Sequence, residues 1–403
     1  MASFPIGATA TLQELETDSH PLLARLRDSE PVSWLPALNA WLITRRDLAL
    51  QAMRDPDTFT VADPRFSTGQ VVGPSMLTLD GGEHGRHRDP FARPFRLDPV
   101  RERFASLVET EAGALLDELA PAGRGELRRG FAGPLAARIV AFALGLQQIE
   151  TATILRWYDA IVEATAGISA GRPVSDAGRG AAGALRDALE PSISGDPGSS
   201  LVAGAAAVGG LSHDEVASNA AVLMFGGIET TEGMIVNALW HLLTHPDQLD
   251  AVRAEPELLA AAVEESLRLE PAAATIDRYA TRDVELGGAP IGRGALVTIS
   301  IAAANRDPSS FPEPDRFDVR RDNASRHVAF AGGPHVCIGM HLARLEAHTA
   351  LRLALERLPN LRLDSPTAPR GLVFRKPPSL DVRWHQLTRG DQRGAAQQQR
   401  HAE

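Results

Sequence analysis

Residues 212–243 constrain this chain more than any other stretch. Ser212-His213-Asp214-Glu215 has the capping-box pattern that opens a helix, and Thr244-His245-Pro246 closes it. At about 1.5 Å per residue such a helix spans roughly 45 Å, the width of a domain, so it must cross the interior. At its middle stand Gly226 and Gly227, followed by Ile228-Glu229-Thr230-Thr231. Each glycine costs about 1 kcal/mol in a helix relative to alanine. Two together imply that the backbone comes close to something flat and that the helix bulges. Glu229 and Thr230 set an acid and an alcohol beside that gap.

The second constraint is Cys337, the one cysteine in 403 residues. It lies in Phe330-Ala331-Gly332-Gly333-Pro334-His335-Val336-Cys337-Ile338-Gly339. The glycines and proline make a constrained loop. Ile338, Leu342 and Leu345 then recur at helical spacing, and the helix runs to Leu358. A cysteine where a loop enters a helix meets free N–H groups and the positive end of the dipole, which favour a thiolate. A lone thiolate suits a metal that takes one strong axial donor.

The wider chain excludes other classes. Formal net charge is −10, which gives no general attraction to nucleic acid. No apolar run spans a bilayer, and residues 1–5 lack the basic and apolar parts of a secretory signal. One cysteine cannot form an intramolecular disulfide and fits a reducing cytoplasm.

The pattern Phe-x-x-Gly-x-His-x-Cys-x-Gly resembles the haem-binding loop of cytochromes P450, from bacteria in particular. The resemblance implies that Cys337 is the proximal iron ligand, with Phe330, His335 and Gly339 in the same loop. Ala331 stands where the family usually has glycine, which costs something only where φ is positive. Gly226-Gly227-Ile228-Glu229-Thr230 is similar to the family's motif on the oxygen side of the haem. Carried over, Thr230 hydrogen-bonds dioxygen or a neighbouring water, and Glu229 relays protons from solvent. His84 and Arg88 share a helix face and match the family's His-x-x-x-Arg, which holds a haem propionate. Arg278 matches an arginine with the same task, and His335 a further propionate contact. Glu265 and Arg268 match the family's buried ion pair, with Arg316 or Arg320 as third member. Asp277 either binds a polar substrate group or neutralises Arg278; the second is the expectation. Val222, Phe225, Ala274, Ile276, Val373 and Phe374 are the implied substrate-pocket walls.

The resemblance covers residues from about 31 to 386. It implies a mainly α fold with small β-sheets, and haem b between the long central helix and the helix after the Cys loop. One domain is expected over 1–387, with a disordered tail over 388–403. The expected activity is an O2-dependent monooxygenation of a small, mostly apolar molecule: hydroxylation, epoxidation or demethylation of a secondary-metabolite intermediate. A separate ferredoxin and its reductase supply the electrons, since the chain shows no flavin or iron–sulfur module. The basic run Arg86, Arg93, Arg96, Arg101 and Arg103 is a candidate docking face. Oxidative ring coupling, and ligand binding by haem without turnover, are the alternatives, as is a zinc site of His335, Cys337 and His341.

Local patterns complete the reading. Residues 1–30 read as a loose arm with a helix over Pro21–Asp28. Residues 32–34 and 41–44 form a hairpin, and Arg46–Met53 a helix. Residues 58–78 read as irregular, and the resemblance implies that they roof the pocket. Trp157–Ile168 and Ala177–Leu189 read as helices, and the resemblance implies that they are the mobile pair over the substrate channel. Glu257–Leu269 is a helix and 271–278 a strand. The segments 284–291 and 296–301 pair as a hairpin.

Overall fold

The computed structural model describes residues 4–169, 172–365 and 367–385; the expected tail lies outside them. The N-terminal helices are α1 (Pro5–Thr9), α2 (Leu12–Glu16), α3 (His20–Ser29), α4 (Arg46–Arg54), α5 (Ser67–Val72) and α6 (Gly81–Ala92). The middle holds α7 (Leu97–Leu119), α8 (Gly133–Leu144), α9 (Thr151–Ser169), α10 (Asp176–Ile193), α11 (Leu201–Val208) and α12 (His213–Thr244). Then come α13 (Pro246–Ala254), α14 (Leu258–Leu269), α15 (Ile301–Ala304) and α16 (Met340–Arg357). Strands are β1 (Val32–Leu35), β2 (Ala40–Ile43), β3 (Phe59–Thr60), β4 (Arg124–Glu126), β5 (Thr275–Ala280), β6 (Val284–Leu286), β7 (Ala289–Ile291), β8 (Leu296–Ser300), β9 (Arg362–Leu363) and β10 (Asp381–Arg383). They form a five-stranded sheet β1-β2-β8-β5-β3, a three-stranded sheet β4-β10-β9 and the hairpin β6-β7. The fold is mainly α with small sheets.

The capping box of α12 forms in full: the Ser212 hydroxyl accepts from the Glu215 N–H, and the Glu215 carboxylate accepts from the Ser212 N–H at 2.8 Å. The two halves of α12 belong to different cores. Val216, Ala220, Met224 and Ile228 pack with α9 and α10, whereas Met234, Ile235, Val236 and Leu239 pack with α7, α8 and α16. Each large apolar side chain fully buried contributes roughly 1.5–3 kcal/mol, which outweighs the glycine cost of about 1 kcal/mol each. Gly226–Thr230 thus sits at the junction of two cores. The helix runs through it unbroken, so the expected bulge does not form.

Three local readings need correction. The N-terminal arm is not loose from residue 4 onward, because the Ile6 and Gly7 N–H groups donate to the buried Glu30 carboxylate at 2.7 and 3.0 Å. Residues 58–78 are partly regular: β3 pairs with β5, and α5 forms. Segment 284–291 closes on itself as β6-β7, because Gly287 and Gly288 take positive φ in a two-residue turn. That frees β8 to lie between β2 and β5 instead of pairing with β6 and β7.

Glu265 and Arg268 are fully buried and joined at 2.7 and 2.9 Å. Arg268 also donates to the carbonyls of Asn305, Pro314 and Arg316. The third member is Arg321, whose Nε lies 2.9 Å from Glu265 Oε1. Arg316 gives only its carbonyl and turns its side chain to Glu313, while Arg320 pairs with Glu255 at the surface. A turn from Asp318 to Arg321 brings the later arginine back over Glu265.

Candidate functional site

The Cys loop is closed by the Cys337 N–H donating to the Phe330 carbonyl at 2.9 Å. Gly333 has φ +69°, and a Cβ there would lie 2.2 Å from the Met53 carbonyl oxygen of α4, so only glycine fits. Ala331 has φ +59°, so the substitution for glycine is strained. Arg344 stacks over the Phe330 ring at 4.5 Å and pairs with Glu264 at 2.6 Å, which fixes the loop against α14. Cys337 keeps accessible surface although many protein atoms surround it. Burial pushes its thiol up, against the Gly339 N–H and the charges of Arg88 and Arg344. The polar surroundings assist a thiolate, as the loop–helix position implies, but do not outweigh burial. A bound metal ion is what deprotonates a coordinating thiol outright.

The two central glycines have different jobs. A Cβ on Gly226 would meet nothing within 4 Å, so this turn of α12 presents bare backbone to open space. A Cβ on Gly227 would lie 2.6 Å from Val140 Cγ2, so Gly227 serves the close packing of α8 on α12. The expectation that both face a flat group is corrected to Gly226 alone. A Cβ on Gly339 also meets nothing within 4 Å. Thr230 donates its hydroxyl to the Gly226 carbonyl at 2.6 Å. Glu229 is buried and faces elsewhere: the Tyr158 hydroxyl donates to one of its oxygens, and Lys376 Nζ lies 2.6 Å from the other.

The polar rim gathers residues far apart in the chain. The rings of His84 and His335 lie 4.3 Å apart. His335 Nε2 is 2.7 Å from Asp80 Oδ1, and Asp80 also accepts from the Thr60 hydroxyl and the Val61 N–H. Burial raises the Asp80 carboxyl, but these bonds outweigh it and hold it down at about 2. Burial, His335 and Arg88 push His84 down to about 4, so it is neutral near pH 7. His84 Nε2 and His335 Nδ1 are buried without a partner among the described residues. Arg88 donates to the Val336 carbonyl at 2.7 Å. Arg278 is buried and donates to the Asp277 carbonyl, with no carboxylate oxygen within 4 Å among the described residues. Asp277 does not pair with it. Neighbours on a strand point to opposite faces, and the Asp277 carboxyl accepts from the Thr298 hydroxyl across β8 at 2.7 Å.

Of the expected pocket walls, Phe225 and Phe374 meet edge to face at 5.6 Å, Val222 packs beside them, and Val373 is exposed. Ile276 is half-buried on the main sheet. Ala274 is 1% exposed among Leu22, Leu26, Leu35 and Leu42, so it belongs to the core and not to an open wall. The zinc alternative is not assembled. His335 turns one nitrogen to Asp80, and no group of three His, Cys, Asp or Glu among the described residues could hold a metal ion. The basic run is also reduced: Arg86 is tied to Glu83 and Glu215, and Arg103 donates to the Ser199 carbonyl. Sequence reasoning missed Asp80, Tyr158, Glu232 and Lys376. One signal was available for the last: Lys376 is the only lysine in the chain.

A thiol, two bare-backbone faces, two partnerless imidazole nitrogens and a buried arginine without a carboxylate fit a haem with its propionates. Fold and donors together define the class as a haem-thiolate oxidoreductase. The family model for cytochrome P450 matches residues 200–369. The chain is 35% identical over 390 residues to the cytochrome P450 monooxygenase PikC of Streptomyces venezuelae, covering 92% of each chain. It is 38% identical to the 20-oxo-5-O-mycaminosyltylactone 23-monooxygenase of Streptomyces fradiae, over 84% of this chain and 82% of that one. The crystal structure of CalO2 superposes with a TM-score of 0.84 at 28% identity, covering 93% of this chain and 99% of the other. The chain belongs to the cytochrome P450 family. Among the described residues no helix is long and apolar enough to cross a membrane.

Proposed function

We propose that this P450 oxidises a small, mostly apolar secondary-metabolite intermediate with O2, using haem b and electrons from a ferredoxin. The observation that carries the reading is Cys337 in its closed loop at the entrance to α16, a helix packed on α12, together with the bare turn of α12 at Gly226. The haem iron, when bound, supplies the activation of dioxygen. Cys337 would supply the thiolate that holds the iron. His84, Arg88, Arg278 and His335 would hold the propionates, with the partnerless His84 Nε2 as one donor. Gly226 lets the flat group approach, because no side chain intervenes. Thr230 and Glu229 hold and pass protons; both side chains must leave the partners they have here to do so.

Phe225 and Phe374 exclude water and favour an apolar substrate. A relative's name specifies a lactone bearing a mycaminosyl group, which supports a macrolactone-sized substrate here. Arg93, Arg96 and Arg101 remain exposed and support docking of an acidic ferredoxin by steering. A cytoplasmic setting suits the single free thiol.

The test is the optical spectrum of the reduced protein with carbon monoxide, before and after Cys337→Ala, followed by spin-state titration with macrolactones. A strongly red-shifted Soret band that vanishes in the variant supports the reading. A histidine-type carbonyl spectrum in the wild type overturns it.

A further inference from the structure

Two buried polar side chains have no part in the site described so far: His87 on α6 and Asn219 on α12. A buried amide is costly unless its donors and its acceptor are all used. Asn219 uses them. Its Oδ1 accepts from the Met76 N–H at 2.8 Å. Its Nδ2 donates to the Glu215 carbonyl at 2.8 Å and meets His87 Nδ1 at 2.9 Å. The two backbone partners fix which way the amide faces, because an N–H needs Oδ1 and a carbonyl needs Nδ2. His87 Nδ1 must therefore accept, which holds only for a neutral ring with its proton on Nε2.

That Nε2 lies 3.4 Å from Glu215 Oε1 and 3.2 Å from Arg86 Nη2. With Glu83, which binds the same guanidinium, these are the charged groups facing the ring. Helix α11 packs on α6 and carries no charged residue, and neither does segment 73–78. Met76 belongs to the turn 75–78, which is closed on itself. The Thr78 N–H donates to the Ser75 carbonyl and the Ser75 N–H to the Thr78 hydroxyl, both at 3.0 Å. The segment runs close along α12: Gly73 has φ +87°, and a Cβ there would lie 3.1 Å from Ser218 Oγ. Met76 shares one core with Val222 and Phe225.

We infer that Asn219 is a positioning residue for the substrate pocket: it hangs Met76 and its turn on α12, and a neutral His87 keeps the amide in the one orientation that does so. This rests on the reading of Val222 and Phe225 as pocket walls. A protonated His87 donates from both ring nitrogens, so its Nδ1–H would meet the Nδ2–H of Asn219. If the amide turns over to accept that proton, Nδ2 faces the Met76 N–H and Oδ1 faces the Glu215 carbonyl, and both backbone bonds are lost. Acid therefore loosens the turn and, with it, the pocket.

Met76 is one of six methionines, so its amide can be followed singly. The experiment uses holoprotein labelled with 15N-methionine in the reduced carbon-monoxide form, where the Met76 signal is the one absent from Met76→Leu. Between about pH 8 and about pH 5, the range in which imidazole changes charge, its protection against solvent exchange should fall about tenfold, the scale of one lost hydrogen bond. His87→Leu keeps the Met76 bond and should stay protected throughout. Clotrimazole, a bulky azole that ligates haem iron from the pocket, should bind the wild type several-fold more weakly than His87→Leu at the acid end and equally at the alkaline end. Imidazole, too small to need the walls, should not distinguish them. Asn219→Ala should lose Met76 protection at every pH. Asn219→Asp, whose carboxylate accepts from Met76 and His87 alike, should restore it and abolish the pH dependence. Wild-type protection indifferent to pH overturns the inference, as does His87→Leu losing protection in acid as the wild type does; that arm stands even where Asn219→Ala does not fold. A protein whose Soret band answers to neither azole overturns the proposed function instead, since the Met76 amide still tests the tie.

Discussion

His335 Nε2 and Asp80 Oδ1 lie 2.7 Å apart, although 255 positions separate them in the chain. The bond leaves the other ring nitrogen of His335 buried, without a partner among the described residues. Asp80→Ala should free the ring, speed haem loss to an acceptor protein several-fold, and leave the Soret position of the retained haem unchanged. The folded carboxyl sits at about 2, below its ordinary 3.8. A depressed carboxyl stabilises the fold above its unfolded value, and that stability is lost as pH falls through the folded one. Acid unfolding of the wild type should therefore steepen between about pH 4 and 2. Asp80→Ala should flatten that part of the curve.

Gly226 and Gly227 should separate on substitution. Gly227→Ala drives a methyl into Val140 and should destabilise by about 1–3 kcal/mol in denaturant unfolding. Gly226→Ala meets no protein atom and should not destabilise the apoprotein. It should lower haem occupancy, read as the ratio of Soret to protein absorbance.

Ala331 holds φ +59°, where a Cβ is unfavourable. Ala331→Gly removes that strain but adds freedom to the unfolded chain, and the net effect should be a stabilisation of about 0.5–1 kcal/mol. An unchanged or lower unfolding midpoint would argue against strain at this position.

Arg321 and Arg320 are adjacent and should behave differently. Arg321→Ala leaves Glu265 buried with Arg268 and the Asp318 N–H, and the lost charge-assisted hydrogen bond should cost about 1.5–3 kcal/mol. Arg320 pairs with Glu255 at the surface, so Arg320→Ala should stay within about 0.5 kcal/mol. Equal effects would mean the network is closed by neither side chain.

Thr230→Ala removes the hydroxyl beside the bare turn of α12. Product per electron should fall while peroxide release rises. Unchanged coupling would take Thr230 out of the proton path.

The legible features were those whose partners lie within one turn of helix. The Ser212–Glu215 capping box, the Glu265–Arg268 pair and the His84/Arg88 face all follow from spacings of three or four. The glycines of the Cys loop were legible because Gly333 answers to backbone sterics. Misreadings began where the partner came from a loop or a neighbouring strand: Arg321, and neither Arg316 nor Arg320, reaches Glu265, and Thr298, and not Arg278, meets Asp277. Spacing does not say which way a loop turns back.

By itself the sequence determined that a long helix crosses the interior with glycines at its centre, and that one cysteine stands in a glycine loop before another helix. Both follow from local sterics and periodicity. Tertiary structure alone decided that Gly226 faces open space while Gly227 packs on Val140. It also decided that Asp80 orients His335, and that the only lysine sits between Glu229 and Glu232. Those outcomes depend on which distant segments meet, and the physical reason is burial. A charge removed from water must find its partner wherever the packed chain delivers one.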